Sequence, residues 1–428
     1  MYAVIGAGPM GLAAARNLQK YDIPFIGFEL HSDVGGLWDI DNPHSTMYES
    51  AHLISSRHMT EYAEFPMAKG APYPHHSELR RYFRDYVQHF DLYDHYRFNT
   101  RVTKLEPQDG KWLLSYETNG EANTQLFDGV LIANGTLHKP NMPALPGQFS
   151  GELLHSADYC SADVFANKRV LVVGCGNSAC DIAVDAVHRA KSVDLSVRRG
   201  YYFLPKFIGG RPTDTLGGKT PLPRPLKQKV DAAMIRMVVG KPSDYGLPDP
   251  DYKMYESHPV INSLVLHHLG HGDINARSGI EKVEGNTVTF SDGAQADYDL
   301  ILSATGYKLD YPFIDRELLN WPEGDAPQLY LNCFHPQQDS LFMMGMIEAT
   351  GLGWEGRNEQ AELVALYIKQ REAGAKSAES LTQTIRAFGG DRMDGGYAYL
   401  KLERMAYYVH KETYRRAILK HLKLLKSN

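Results

Sequence analysis

Ala3-Val4-Ile5-Gly6-Ala7-Gly8-Pro9-Met10-Gly11 is a short apolar run and a glycine-rich hexapeptide, and a helix-forming stretch, Leu12 to Lys20, follows it. A buried strand, a tight glycine turn and a helix, in that order, open a dinucleotide-binding βαβ unit. In such a unit the first glycine, Gly6, makes the turn, and the second, Gly8, lets backbone approach a pyrophosphate. The third, Gly11, brings helix against strand. The anion rests on the helix N-terminus, where unpaired N–H groups and the helix dipole favour it. The same order returns at Arg169-Val170-Leu171-Val172-Val173-Gly174-Cys175-Gly176-Asn177-Ser178-Ala179, with a helix expected from about Cys180 to Ala190. One glycine hexapeptide is weak. Two, each between a strand and a helix, predict an α/β chain with two Rossmann-like dinucleotide-binding domains.

The ends of the second strands separate the two ligands. Phe25-Ile26-Gly27-Phe28 runs into Glu29, 18 residues after Gly11. A carboxylate there accepts hydrogen bonds from a ribose 2′-hydroxyl, as the unphosphorylated adenosine of FAD requires. Val193-Asp194-Leu195-Ser196-Val197 runs into Arg198 and Arg199, the first of them 19 residues after Ala179. Guanidinium groups there would hold a 2′-phosphate bidentately, so the second unit reads as the NADPH site. Gly35-Gly36-Leu37-Trp38 adds a turn that brings backbone close to a cofactor and an indole wall beside it. Two further strands, Asp128 to Ile132 and Tyr298 to Ser303, each deliver an Ala-x-Gly turn, Ala133-Asn134-Gly135 and Ala304-Thr305-Gly306. Such paired crossings fit a chain that leaves one domain, builds a second and returns.

Composition excludes other classes. The 428 residues are 43% hydrophobic and 22% charged, as expected of a globular protein long enough for two domains. A formal net charge of -6 argues against a nucleic-acid binder, which needs a basic field to displace counterions. Only the end is basic, with Lys401, Arg404, Lys411, Arg415, Arg416, Lys420, Lys423 and Lys426. That run reads as a solvated helix face or a weak contact with an anionic membrane surface. No window has the ~18 apolar residues of a transmembrane helix, and Met1 runs straight into a strand, so no signal peptide is expected. The four cysteines, Cys160, Cys175, Cys180 and Cys333, are too scattered for a disulfide framework and point to a reducing cytoplasm. The histidine groups His75-His76 and His267-His268 with His271 lack a ligand set at metal spacing, so surface and capping roles are expected and no metal.

Phe149-Ser150-Gly151-Glu152-Leu153-Leu154-His155-Ser156-Ala157-Asp158-Tyr159 resembles the F-x-G-x-x-x-H-x-x-x-Y fingerprint of the flavin-containing monooxygenases, the class B flavoprotein monooxygenases. Arg198-Arg199-Gly200, Tyr245-Gly246-Leu247-Pro248 and Ala304-Thr305-Gly306-Tyr307 extend the resemblance over essentially the whole chain. Baeyer–Villiger monooxygenases carry a similar string that ends in Trp-Pro, where this chain has Tyr159-Cys160. The resemblance implies an FAD domain from residues 1–147 and 303–428, capped by helices such as Arg357 to Glu372, with an NADPH domain inserted at 148–302. It implies that Gly6, Gly8, Pro9, Met10, Gly11, Glu29, Gly36, Leu37, Trp38, Val102, Ala133, Asn134 and Gly135 meet FAD. Gly174, Gly176, Asn177, Ser178, Ala179, Arg198, Arg199, Ala304, Thr305 and Gly306 would meet NADPH, and His155 would fix the interdomain connection.

The implied reaction passes hydride from NADPH to FAD, forms a C4a-hydroperoxyflavin with O2, and oxygenates an amine nitrogen or sulfide sulfur of a small molecule. The cofactor carries that chemistry, so no acid–base dyad is needed. The family places an Asn beside the flavin before a Tyr-x-x-Phe-Pro string; here Tyr62-Ala63-Glu64-Phe65-Pro66 follows Ile54-Ser55-Ser56-Arg57-His58-Met59, without Asn. Ser55 or Ser56 would stand in as donor, and Arg57 and His58 would add positive charge. The alternatives are an NADPH oxidase releasing hydrogen peroxide, a ketone oxygenase, a disulfide reductase using Cys175 and Cys180, and a non-catalytic nucleotide sensor. Loops at Tyr201 to Pro205 and Pro221 to Pro225 are candidates for shaping the substrate pocket, and a homodimer is compatible with the sequence.

Overall fold

Both glycine turns sit at the C-terminal end of the central strand of a parallel sheet. The structure, a computed structural model, describes residues 1–216 and 222–427. β1 (Tyr2–Ile5), α1 (Pro9–Lys20) and β2 (Phe25–Phe28) form the first βαβ unit. β3 (Arg169–Val173), α2 (Asn177–Val187) and β4 (Ser192–Ser196) form the second. α1 starts three residues before the expected Leu12 because Pro9, preset at φ near the helical value, occupies its first turn. α2 begins at Asn177 rather than Cys180 and stops at Val187, short of Ala190.

The chain divides into two compact units, Met1–Ser45 with Arg57–Lys139 and Lys308–Asn428, and Thr46–Ser56 with Pro140–Tyr307. These divisions fall several residues from 147/148 and 302/303, and the excursion Thr46–Ser56 has no counterpart among the sequence expectations. Its cause is packing. Tyr48 and Ala51 are buried in the core of the second unit, and the Glu49 N–H donates to the Cys160 carbonyl at 2.8 Å.

In the first unit five parallel strands lie in the order Leu341–Met343, Gly129–Ile132, β1, β2 and Tyr96–Arg97. A meander, Thr100–Gln108, Lys111–Thr118 and Glu121–Phe127, leads into Gly129–Ile132. The helix Gly353–Glu372 packs on α1 and on the C-terminal helix Lys411–Lys426, which explains why so much of it is apolar and buried. It begins four residues before the expected Arg357. In the second unit the parallel order is Glu152–His155, Leu300–Ser303, β3, β4 and Ile274–Arg277. A smaller sheet of Gly147–Phe149, Ile280–Gly285, Thr287–Phe290 and Gln295–Asp297 precedes the return at Leu300–Ser303.

The two sheets share one topology. The first strand of each βαβ unit, β1 or β3, lies between its own second strand and the strand that returns after the antiparallel insert. Connections therefore leave its C-terminal end in opposite directions, opening the crevice in which open α/β sheets hold ligands. No helix among the described residues is long and apolar enough to cross a membrane.

The expected loop at Pro221 to Pro225 is partly a helix. Pro221 lies outside the described residues, and α3 (Arg224–Val239) starts with Pro225 in its first turn.

Candidate functional site

The first turn is built by close approach. A Cβ on Gly6, at φ +107°, would lie 2.6 Å from the Ala133 carbonyl oxygen, and one on Gly11 would lie 1.9 Å from the Gly6 carbonyl oxygen. Gly8 is the N-cap of α1 in ordinary extended backbone and makes no side-chain cap, so the first N–H groups of the helix have no side-chain acceptor. Gly35-Gly36-Leu37-Trp38 folds onto this turn. The Gly35 N–H donates to Ala7 at 3.0 Å, and a Cβ on Gly36 would meet the Gly8 Cα at 2.9 Å. Trp38 stands edge-on to Trp354, 6.0 Å between ring centroids. Glu29 is buried and accepts the Ala7 N–H at 2.6 Å and the His31 N–H at 2.8 Å. Burial raises its carboxyl pKa, against those two N–H groups and the nearby His31, which lower it.

Gly6, Gly8, Pro9, Met10, Gly11, Glu29, Gly36, Leu37, Trp38, Ala133 and Gly135 thus cluster around the end of β1. Asn134 is committed elsewhere: its Nδ2 donates to the Asp310 carbonyl at 3.0 Å. Val102 sits at the irregularity of the meander, partly buried against the core beneath the sheet.

The second turn repeats the first. A Cβ on Gly174, at φ +122°, would lie 2.5 Å from the Ala304 carbonyl oxygen, and Gly176 caps α2 with no side-chain bond and nothing within 4 Å of its Cβ position. Asn177 turns inward, accepting the Ile261 N–H at 2.7 Å, and Thr305 donates to the Asn141 carbonyl at 2.6 Å. Ala179 is buried in the core. Arg198 is exposed beyond the end of β4, and its stem lies against Gly279, where a Cβ would come within 3.1 Å of Arg198 Cγ. Arg199 pairs with Asp251 at 3.5 Å. Gly200 packs on the backbone of Pro248 and Asp249, so the Arg-Arg-Gly string and the Tyr-Gly-Leu-Pro string meet. Gly279 has no local signal in the sequence, since its constraint comes from a side chain some 80 positions away.

His155 ends the edge strand Glu152–His155 rather than standing in an open connection. Its Nδ1 accepts the Ala157 N–H at 3.0 Å, its ring meets Tyr307 edge-on at 5.3 Å, and burial lowers its pKa, leaving it neutral. The stretch Ser55-Ser56-Arg57-His58 crosses from one unit to the other after Ser56. Ser56 is buried, with its N–H on Asp214 at 2.6 Å. Arg57 is buried and spends its guanidinium on its own loop: Nε and Nη2 reach the Ala71 carbonyl at 2.9 and 2.6 Å, Nη1 reaches Ala68, and Glu78 lies 3.6 Å away. His58 points to solvent and pairs with Glu61 at 3.0 Å. The charge expected beside a flavin is therefore engaged elsewhere.

Cys175 and Cys180 are both buried, and Cys175 together with burial drives the Cys180 thiol pKa far up, the reverse of an activated redox thiol. Among the described residues no group of three or more His, Cys, Asp or Glu side chains is arranged for a metal ion, and His75 caps the helix His76–His89.

A family model described as flavin-binding monooxygenase-like matches residues 1–395. The chain belongs to that family. Members are NADPH-dependent oxidoreductases that use FAD. This flavin monooxygenase is 31% identical over 392 residues to "Flavin-containing monooxygenase 1" of Mus musculus, covering 86% of this chain and 73% of that protein. It is 30% identical over 393 residues to "Flavin-containing monooxygenase 2" of Homo sapiens, again 86% and 73%. Among solved structures, S-allyl-L-cysteine S-oxygenase from Allium sativum matches with a TM-score of 0.68 at 19% identity, covering 99% of this chain and 88% of that one. Cyclohexanone monooxygenase from Rhodococcus sp. Phi1 bound to NADP+ matches with a TM-score of 0.70 at 18% identity, covering 99% and 97%. At those identities the structures speak for the fold, two dinucleotide-binding Rossmann domains, and the sequence relatives speak for the family.

Proposed function

We propose that this flavin monooxygenase holds FAD at the first glycine turn and NADPH at the second, and transfers one oxygen atom from O2 to an amine nitrogen or a sulfide sulfur of a small molecule. One observation carries the reading: two turns of the same construction end in opposite chemistry, a buried carboxylate at Glu29 and an exposed guanidinium at Arg198. The residues fit the groups. Gly8 and Gly176 leave space in front of two helix N-termini that lack side-chain caps, the place and polarity a pyrophosphate requires. When bound, NADPH supplies hydride and FAD the oxygen-activating redox chemistry.

The work of this chain's own residues is then to bind and orient. The N-terminal N–H groups of α1 and α2 take the two pyrophosphates. Glu29, already oriented by Ala7 and His31, has lone pairs left for ribose hydroxyls. Arg198 meets the 2′-phosphate edge, with Arg199 partly restrained by Asp251. Neutral, buried His155 holds the backbone after its strand instead of donating a proton.

Oxygenation of nitrogen or sulfur, rather than of ketones, is supported by the sequence relatives, one of which is named "Dimethylaniline monooxygenase [N-oxide-forming] 2". It is supported also by the fingerprint string, which ends in Tyr159-Cys160 where the Baeyer–Villiger enzymes carry Trp-Pro. A second reading, an NADPH oxidase, is favoured by Arg57 being committed to its own loop. The deciding experiment follows NADPH consumption, hydrogen peroxide release and oxygenated product with a tertiary amine, a thioether and a cyclic ketone. Coupled N-oxide or sulfoxide formation is expected. Lactone or ester formation from the ketone alone, or peroxide with every compound, overturns the proposal.

A further inference from the structure

Between the first glycine turn and the surface runs a connected series of oxidisable rings. Trp38, on the segment that folds onto that turn, meets Trp354 at 6.0 Å between ring centroids. Trp354 lies 5.8 Å from Tyr82, nearly parallel to it, and 6.0 Å from Tyr62. Tyr62 in turn lies 4.9 Å from Tyr86. All but Trp38 are buried, and every ring belongs to the first unit. The hydroxyls differ in what receives them. Tyr62 donates to the Pro9 carbonyl, in the first turn of α1, and Tyr82 donates to the Phe65 carbonyl at 2.6 Å. A backbone carbonyl is no base. Tyr86 donates instead to Glu64 at 3.2 Å, a carboxylate 30% exposed and paired with Arg16 at 3.3 Å. Filling a core requires rings and not hydroxyls: Phe at position 86 would bury the same ring with no polar group to satisfy.

We propose that Trp38, Trp354, Tyr62 and Tyr86 form a relay that carries an oxidising equivalent from the first glycine turn to the surface at Glu64, where a soluble thiol or ascorbate-type reductant discharges it. The relay rests on the FAD site proposed above, where reduction of O2 is the source of one-electron oxidants. One electron leaves Trp38 for the oxidant, and the hole passes to Trp354 and through Tyr62 to Tyr86. As Tyr86 is oxidised, its phenol proton crosses the hydrogen bond to Glu64, leaving a neutral tyrosyl radical and a neutral carboxyl group. A neutral tyrosyl is a weaker oxidant than an indole radical cation, so the transfer runs outward. Tyr62, whose proton has no base to receive it, passes the hole on. The reductant then returns one electron to Tyr86, and Glu64 returns the proton. Tunnelling falls exponentially with the gap, so several short hops outrun one long one.

The test illuminates the FAD-loaded full chain with blue light without O2, excited flavin being the one-electron oxidant, and reads the frozen sample by electron paramagnetic resonance. A tyrosyl signal is expected. Tyr86→Phe should lose it, and so should Glu64→Gln, which keeps an acceptor oxygen but takes no proton. Flavin content and melting should match wild type in both. Tyr367→Phe, at a buried tyrosine of the same unit that packs on Phe334 and Phe342, should keep the signal. A second measurement needs no flavin. Azidyl radicals made by pulse radiolysis oxidise indoles, and of the four tryptophans Trp38 alone is not buried. Indole radical absorbance should decay as tyrosyl absorbance grows in wild type and Tyr367→Phe, but not in Tyr86→Phe. No tyrosyl radical in wild type by either route, equal signals in wild type and Tyr86→Phe, or loss with Tyr367→Phe overturns the relay. Transfer after azidyl with no signal under light would keep the relay and remove FAD from that turn.

Discussion

A Cβ on Gly6 or Gly174 would collide with a carbonyl oxygen just past the end of a strand more than 120 positions away, whereas Gly8 and Gly176 have room for one and extended backbone that any residue adopts. The outer glycines therefore answer to the fold, and the middle ones to a ligand. Gly6→Ala and Gly174→Ala should each lose about 2–4 kcal/mol of stability in urea unfolding. Gly8→Ala should leave the ligand-free protein within ~0.5 kcal/mol of wild type while lowering FAD occupancy about tenfold or more. Equal losses of stability in both sets would cancel that division. At the second site, Arg198→Ala should raise the Michaelis constant for NADPH by roughly 10–100-fold, about 1–3 kcal/mol, and leave NADH nearly untouched. Arg199→Ala should do less, because Arg199 is already paired with Asp251. His335 makes a pH prediction. Its buried Nδ1 accepts the N–H groups of Gln337 and Gln338 at 3.0 and 2.9 Å, and burial lowers its pKa to about 4. The unfolded chain binds this proton near 6.5 and the folded chain does not, so stability falls as pH drops from about 6.5 to 4 and is flat below. His335→Asn keeps an acceptor without a titration, and thermal melts across that window should become shallower.

Along α2, Asn177, Asp181 and Asp185 fall one turn apart on a single face, and between them they accept from three other segments. Asn177 takes the Ile261 N–H, Asp181 takes Asn262 at 2.6 Å and the Tyr48 hydroxyl at 3.0 Å, and Asp185 takes Tyr159 at 2.9 Å and Ser50. This seam fastens the Thr46–Ser56 excursion and the fingerprint tyrosine to the helix whose N-terminus forms the second turn. Tyr48→Phe should cost about 1–2 kcal/mol, since it strips a donor from the half-buried Asp181 carboxylate, which keeps its bond from Asn262. A loss under ~0.5 kcal/mol in equilibrium unfolding would mean that the hydroxyl is replaced by water.

For the whole molecule, the missing Asn and the committed Arg57 have a joint consequence. If Ser55 or Ser56 takes the place of that Asn, as the family resemblance implies, its hydroxyl is a shorter donor than an amide and its proton rotates freely, so oxygen bound beside it is less preorganised. Without substrate, a substantial fraction of NADPH electrons should appear as hydrogen peroxide in a coupled peroxidase assay. Negligible release would show that other groups hold the oxygen.

The sequence alone was enough for the two βαβ openings, the acid and the arginines that close them, and the family string, because each is a local arrangement of strand, turn and helix within about 30 residues. It also placed Gly36-Leu37-Trp38 and both Ala-x-Gly turns among the cofactor candidates. What it did not contain were constraints arising between distant segments. Asn134, Thr305 and Arg57 look like ligand donors in one dimension, and only the folded chain assigns their hydrogen bonds to carbonyls of neighbouring segments. The excursion at Thr46–Ser56 carries no periodicity, so its place in the second unit follows from tertiary contacts such as Tyr48 meeting Asp181 and Glu49 meeting Cys160. The carbonyls of Ala133 and Ala304 that force the first glycines, and the ring contacts from Trp38 to Tyr86, were likewise decided by tertiary packing, since which side of a helix or turn meets another atom is a property of the assembled sheets.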